Sequence, residues 1–530
     1  MVQPNELSYD LGASALDMAE AMFGDGVQVV GASYSGSTYS SGTYANGDSL
    51  APGATPGDTG VILSTGRANR FTNNNNQANQ NTNTSTNSDG ENNNADFNAI
   101  AGTNTYDAAY MDIDFIPDSD TMTMQFVFSS EEYPEFSNSI YNDVVGVWIN
   151  GVHVPLSITG EATAVGDINQ TDNTNLYNDN SNDSFNTEMD GFTLTMTLTI
   201  PVNAGEINSI RIGIADVADS LYDSNLLIAG DSIQTTLVSN DDNITMKEGT
   251  TKTVDLLDND TNGTTGTLVV THINGVAVSA GDSVTLNSGQ IVTLNADGTV
   301  SITTDLDNDN IAFTYGVASV DGSGNTLQTD TGFVTVETIP CFVAGTMIET
   351  ADGPRGVETL AEGDMVMTRD DGLQPLRWTG RRTVPATGKM APIRLAANVL
   401  GQHNALMVSP LHRILIKDAV AELLFGEDEV LVAAKDLVND TTIRPVEGGE
   451  VDYVHLMFDR HQVIYSEGLP TESFLPGPQT CKSFEAEIVE EITTIFPELD
   501  VMTGEGYGPA ARPLLKRYEA EALRLKRQVA

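Results

Sequence analysis

The chain is 530 residues long, too long for one core, and that length predicts three or so domains. Its formal net charge of -50 disfavours nucleic acid and anionic membrane surfaces as partners. Two cysteines, Cys341 and Cys481, exclude a disulfide-rich scaffold, and no apolar run of about 18 residues marks a transmembrane segment.

The charge is unevenly placed. Before Cys341 the basic side chains are Arg67, Arg70, Arg211, Lys247 and Lys252, in a region rich in Asn, Thr, Gly and Asp. After it Arg, Lys, His, Pro and Leu become common. A long acidic, lysine-poor stretch resembles extracellular bacterial surface proteins, many of which take up calcium. No basic-then-apolar segment opens the sequence, so the expectation is a secreted or cell-surface bacterial protein without a recognisable cleaved N-terminal signal.

In chain order, Ser14 to Phe23 predicts a short helix, capped by Ser14 and ended by Gly24, with Leu16, Ala19 and Phe23 on one face. Strand signals follow at Val27–Val30 and Gly60–Leu63. Thr72 to Asn94 is nearly all Asn, Gln, Ser and Thr and reads as a surface loop. Alternating segments at Thr121–Phe128, Thr193–Ile200 and Ser209–Ile214 predict strands, and Asn150-Gly151 predicts a type I′ hairpin turn. The first 237 residues therefore read as a β-sandwich.

Within it stand Ser129-Ser-Glu131-Glu132-Tyr-Pro-Glu-Phe136, Tyr141-Asn142-Asp143 and Ile214-Ala-Asp216-Val-Ala-Asp219-Ser-Leu-Tyr-Asp223-Ser224. These segments resemble the choice-of-anchor L domain, a bacterial surface domain associated with cell-surface anchoring. The resemblance implies a surface role and a surface or extracellular ligand. Glu131, Glu132, Asn142, Asp143, Asp216, Asp219 and Asp223 could hold Ca2+ through oxygen ligands, or could cap turns and solvate loop ends.

Residues 238–338 form a second β unit. Strand signals at Leu268–Val270, Gln290–Leu294, Thr299–Thr303, Ile311–Tyr315 and Gly332–Val336 are separated by turns at Asn274-Gly275 and Asp297-Gly298. The unit resembles cadherin-like or immunoglobulin-like spacers of large secreted proteins.

Cys341 opens the next module. A thiol is well suited to attack a neighbouring carbonyl, because its thiolate fraction near neutral pH exceeds the ionised fraction of a hydroxyl. The amide nitrogen is a poor leaving group and needs a positioned acid. Ser409-Pro-Leu-His412 sets a hydroxyl three residues before a histidine, and His455-Leu-Met-Phe-Asp459-Arg460-His461 clusters imidazoles with a carboxylate.

Together with the opening Cys341-Phe-Val-Ala-Gly-Thr346, Gly356-Val-Glu-Thr-Leu360 and Glu467-Gly468, these segments resemble the Hint domain shared by hedgehog proteins and inteins. The resemblance runs over residues 341–478. It implies an all-β horseshoe that cleaves the chain at Pro340-Cys341, with Cys341 as nucleophile, Ser409 and His412 positioning and protonating the amide, and Asp459 and His461 assisting release. No cofactor is implied for the cleavage. The acceptor of the thioester is water or another nucleophile.

Two departures bear on this. Inteins end in His-Asn, whereas Pro470-Thr-Glu-Ser473 stands in the corresponding stretch, so cleavage without splicing is expected. The restricted backbone of Pro340 acts against the acyl shift. Cys481 is either a second thiol or an ordinary buried cysteine.

Residues 479–530 read as a short helical tail: Arg512-Pro513 begins a segment with Leu515, Tyr518, Ala522 and Leu525 on one face. The expectation is a mainly β chain ending in a single-turnover Hint autoprotease. The alternative is a calcium-stabilised adhesive or anchoring protein whose Hint domain is inactive.

Overall fold

The computed structural model describes residues 2–75, 77–81, 83–137, 143–154, 168–170, 173–245, 251–304, 311–337, 342–386, 391–425, 427–439, 441–475, 508, 510–515, 520 and 523. The protein is mainly β, and it divides into two compact units. One comprises Met1–Asp242, Lys252–Ile302 and Ile311–Thr335; the other comprises Asn243–Thr251, Thr303–Asn310 and Val336–Ala530. Among the described residues no helix is long and apolar enough to cross a membrane.

The N-terminal part of the first unit is a β-sandwich. Its eight-stranded sheet runs Ser8–Asp10, Ser41–Ala45, Thr59–Ser64, Ser224–Ala229, Thr121–Ser130, Gly191–Thr193 and Tyr177–Asp179, with Met196–Pro201 also paired to Thr121–Ser130. The facing five-stranded sheet runs Val27–Ser35, Thr105–Pro117, Asn208–Val217, Val144–Ile149 and Val152–Val154. Met111, Ile113, Phe115, Phe126, Phe128, Ile212 and Leu226 fill the space between them.

Thr121–Ser130 alternates in sequence, yet almost all of it is buried. Met124, Phe126 and Phe128 face the main core, while Val127 packs with Phe71, Phe192 and Leu227 in a second cluster on the other side. Successive side chains point to opposite faces of a strand, so a strand covered on both faces loses its polar side. The predicted strand Thr193–Ile200 is divided into Gly191–Thr193 and Met196–Pro201. The Asn150-Gly151 turn forms as expected, with φ of 51° and 78° at the two residues.

The first helix spans Ala15–Met22 and carries a full capping box between Ser14 and Asp17. Its buried face is Met18, Ala19 and Met22, continued by Phe23; of the predicted face Ala19 and Phe23 are buried and Leu16 is exposed. The Asn-rich stretch has little regular structure, but it is not simply a surface loop. Ala78, Asn79 and Ser88 are buried, with the Asn79 Nδ2 donating to Asp190 Oδ1 at 2.6 Å and the Ser88 N–H to Asp107 Oδ2 at 3.1 Å. Amide and hydroxyl groups here supply the donors that a cation-poor domain lacks.

The rest of the first unit pairs Ile311–Val320 with Thr267–Ile273 and with Thr326–Glu337, beside a four-stranded sheet of Thr251–Val254, Val300–Thr303, Ile291–Leu294 and Ser283–Thr285. It meets the sandwich through buried polar contacts. Asp330 accepts from Gln125 Nε2 at 3.1 Å and from the Ser239 N–H at 2.9 Å, and Asn175 Nδ2 donates to Ser288 Oγ at 2.8 Å.

The second unit contains two further sheets. In the six-stranded one, Phe342–Val343 lies between Glu450–Met457 and Leu406–Val408, followed outward by Ile393–Leu395 and Ile443–Pro445, with Trp378–Pro385 at the far edge. The other runs Gly353–Gly356, Met347–Thr350, Met365–Thr368, Val463–Ser466, Leu469–Glu472, Arg413–Lys417 and Glu429–Ala433, with Gly372–Pro375 paired to Met365–Thr368. Glu467 and Gly468, at φ of 51° and 83°, form the tight turn joining Val463–Ser466 to Leu469–Glu472.

Candidate active site

Strand Phe342–Val343 brings the chain into the middle of its sheet immediately after Cys341. Phe342 pairs with Val408 on one side and Val454 on the other. Pro340 and Cys341 themselves lie outside the described residues.

Ser409 and His412 occupy the turn between Leu406–Val408 and Arg413–Lys417. The His412 N–H donates to the Ser409 carbonyl at 3.1 Å. The turn is held from outside by the Lys435 N–H on the Pro410 carbonyl at 2.9 Å and the Ala434 N–H on the His412 carbonyl at 3.0 Å. Both side chains are buried, His412 at 2 % exposure, and the Phe342 ring stands edge-on to the His412 imidazole with centroids 4.3 Å apart.

Among the described residues neither ring nitrogen of His412 has a hydrogen-bond partner. Burial pushes its pKa down to about 4, so the imidazole is neutral near pH 7. A buried polar ring without partners is costly, and such groups are found where function requires them.

His461 is also buried. Its Nε2 lies 3.1 Å from the Ser473 carbonyl and 3.6 Å from Glu472 Oε2. Its Nδ1 accepts from the Ala511 N–H at 3.0 Å. An Nδ1 that accepts leaves the proton on Nε2, which points at the carbonyl. Glu472 is buried at 1 % exposure and accepts from the Arg413 N–H at 2.8 Å. Burial alone would raise its pKa, but Arg413 and the two histidines outweigh this and hold it down at about 2.

Residues 340–478 match the Hint domain family, and residues 12–234 match the choice-of-anchor L domain family. The chain carries a Hint domain behind a choice-of-anchor L domain. Among solved structures, the gp41-1 intein is similar at 11% identity over 25% of this chain and 98% of that one, with a TM-score of 0.18. The AceL NrdHF class 3 split intein is similar at 13% identity over 25% of this chain and 97% of that one, also with a TM-score of 0.18. No curated protein matches.

Ser409, His412 and His461 are all buried within the Hint domain. Asp459 is placed differently. It forms an ion pair with Arg377 at 2.7 Å and its side chain is half exposed. The carboxylate beside His461 is Glu472, which sequence reasoning used only as a sign that an intein ending is missing. The available signal was the position of Glu472 on the strand that closes the domain, next to Ser473. His455 packs between Trp378 and Phe474, with ring centroids 6.4 and 5.7 Å away.

The C-terminal tail joins the Hint domain by an edge contact where a helix was expected to begin. Leu431 donates its N–H to the Pro513 carbonyl at 2.9 Å, and the Leu515 N–H donates to the Leu431 carbonyl at 2.8 Å. The segment thus covers the free edge of Glu429–Ala433 in parallel orientation. Arg512 binds Glu429 and Asp370 at 2.9 and 2.8 Å. Leu515, Ala520 and Leu523 join the domain's core, the last two in helical conformation. Proline at 513 supplies only a carbonyl, which suits a strand whose N–H side is unpaired there. Cys481 lies outside the described residues.

The acidic residues of the choice-of-anchor L domain also converge. Glu131, Glu132, Asp143, Asp216 and Asp223 are all buried, whereas Asp219 is half-buried and accepts from the Leu221 N–H at 2.9 Å. Asn142 lies outside the described residues. Among the described residues no group of three or more His, Cys, Asp or Glu side chains is placed to hold a metal ion.

Proposed function

We propose that the Hint domain is a single-turnover autoprotease that cuts the chain at Pro340-Cys341 without splicing. The observation that carries this reading is His412: a buried, neutral imidazole whose two nitrogens have no partner among the described residues, packed against the residue that follows Cys341. In the proposed reaction the Cys341 thiol gives its proton to the neutral His412 ring and Sγ attacks the Pro340 carbonyl carbon. The Pro340–Cys341 C–N bond breaks, and a proton from the His412 ring passes to the departing nitrogen, which becomes the Cys341 amine. The thioester so formed is cleaved by water, returning the thiol and leaving a carboxylate on Pro340.

Ser409 and His412 serve the first step as the turn's polar pair. His461 acts as a donor through Nε2, held by Ala511 and oriented by Glu472. The absence of an intein-type His-Asn ending supports cleavage over splicing. The choice-of-anchor L domain supports a role at the bacterial cell surface for the released upstream part, acting on a surface or extracellular ligand.

The test is intact mass and a denaturing gel on wild-type protein and Cys341→Ala, each with and without dithiothreitol or hydroxylamine. A fragment ending at Pro340, increased by thiol and missing from the variant, supports the reaction. Full-length protein under every condition sinks it and leaves a surface protein with an inactive Hint fold.

A further inference from the structure

Among the described residues three elements meet at His461, and one of them lies beyond the stretch that matches the Hint family. The turn after Met365–Thr368 holds its chain neighbours: Asp371 accepts from Gln462 Nε2 at 2.9 Å and pairs with Arg460. The strand Leu469–Glu472 brings Glu472 and the Ser473 carbonyl to Nε2. The C-terminal tail supplies the donor to Nδ1, the Ala511 N–H.

Arg512 sets that donor in place. Its two Nη atoms donate to the two oxygens of Asp370, at 2.8 and 3.2 Å, and Nη1 also donates to the Ala511 carbonyl at 2.7 Å. Nε donates to Glu429 Oε2 at 3.0 Å. A two-pronged contact between guanidinium and carboxylate fixes orientation as well as distance. Asp370 adjoins Asp371, so the turn that latches the tail is the turn that holds Arg460 and Gln462 on either side of His461. Covering the free edge of Glu429–Ala433 needs only the backbone bonds to Leu431. Arg512 and Ala511 do more, because they join that edge to the imidazole of His461.

We propose that Arg512 is a positioning residue for release of the thioester. By latching onto Asp370 it sets the Ala511 N–H on His461 Nδ1, and so keeps the His461 proton on Nε2. The inference rests on the autoprotease reading above and assigns the tail to its second step. In that step a water oxygen bonds to the Pro340 carbonyl carbon and the bond to Cys341 Sγ breaks. Nε2 gives its proton to the sulfur and takes one from the water, leaving a thiol and a carboxylic acid that ionises.

The first step uses Cys341, Ser409 and His412. The His412 turn has its own support, since Arg413–Lys417 pairs with Glu429–Ala433 along its whole length. Undocking the tail therefore spares thioester formation and slows hydrolysis. A chain with its tail undocked holds the upstream part as a thioester, open to external nucleophiles; docking commits it to water.

The test compares full-length wild type, Arg512→Glu, Asp370→Arg and the double variant, following the fragment that ends at Pro340 with and without hydroxylamine. Hydroxylamine attacks a thioester directly, so cleavage in its presence reads the first step, and cleavage in its absence reads release by water. Each single variant is expected to slow release by water about tenfold, the loss of one charge-assisted contact, while hydroxylamine cleavage stays within about twofold of wild type. The double variant restores the pair with its signs reversed and is expected to recover release to within about threefold of wild type. Arg512→Gln, which adds no repulsion, gives the same split with a smaller loss if Arg512→Glu does not fold. Unchanged release in both Arg512 variants overturns the proposal. So does an equal loss with and without hydroxylamine that the double variant fails to repair, because a tail that only holds the fold together weakens both steps. A wild-type chain that yields no fragment in either condition overturns the autoprotease reading itself, and this inference with it.

Discussion

The backbone N–H of Ala511 donates to Nδ1 of His461 at 3.0 Å, so a residue from the C-terminal tail fixes the tautomer of a histidine in the Hint domain. With Nδ1 occupied, Nε2 carries the proton toward the Ser473 carbonyl and Glu472. The tail is held there independently, by Arg512 on Glu429 and Asp370 and by the strand contact with Leu431.

Ala511→Pro deletes this donor, since proline has no N–H, while Ala511→Gly retains it. We predict that the proline variant shows a mixture of His461 tautomers in long-range proton–nitrogen NMR spectra, where wild type shows one. Loss of a hydrogen bond of about 1 kcal/mol should slow thioester release roughly fivefold. An unchanged tautomer in Ala511→Pro would remove the tail from any positioning role.

His412 makes a second prediction, on rate. His412→Ala should lower the first-order cleavage rate by about 100-fold or more, the usual contribution of a positioned proton donor. His412→Asn keeps a donor of similar reach and should recover part of it. The informative readout is thioester accumulation. If His412 acts on the leaving nitrogen, hydroxylamine does not rescue His412→Ala, because the thioester has not formed.

The strands and the Asn150-Gly151 turn were legible because each rests on a local pattern: alternation, or a dipeptide that accepts positive φ. Of the predicted face of the first helix only Leu16 is exposed, with Met18 buried in its stead, because the two differ little in apolar character and tertiary packing chose between them. Glu472 and Ala511 were missed for a different reason. Each meets His461 only through long-range folding, across 11 and 50 residues, and a backbone N–H leaves no trace in the sequence. Asp459 looked functional because it stands two residues from His461, but the chain bends after the strand ends at Met457, and Asp459 pairs with Arg377 instead.

Glu472 and His412 together set the acid limit of the Hint domain. Glu472 is held down at about 2 in the fold against an unfolded value near 4.3, so its stabilisation is present above the unfolded pKa and is lost as pH falls from about 4.5 to 2. His412 is depressed to about 4 from about 6.5, so the folded state binds fewer protons and stability falls as pH drops from about 6.5 to 4. Each shift corresponds to about 3 kcal/mol to order of magnitude. Glu472→Gln should flatten the lower window and widen the upper one, because the Glu472 charge favours protonated His412, as measured by urea midpoints from pH 3 to 7.

The choice-of-anchor L domain should respond with the opposite sign. Its folded state keeps protons on Glu131, Glu132, Asp143, Asp216 and Asp223 that an unfolded chain releases near pH 4. Asp107, Glu188 and Asp190 add to the same negative field, and Arg70 opposes it only at Asp223. In EDTA the sandwich should therefore be most stable in acid and weaken as pH rises from about 4 through 6 and beyond, because the folded form then holds more protons than the unfolded one. The Hint domain strengthens over the same interval. Scanning calorimetry of full-length Cys341→Ala from pH 4 to 8 should resolve two transitions that move in opposite directions, with Glu472→Gln identifying the one that belongs to the Hint domain. Two transitions that rise together with pH would mean that the buried carboxylates of the sandwich are ionised and compensated within the protein itself.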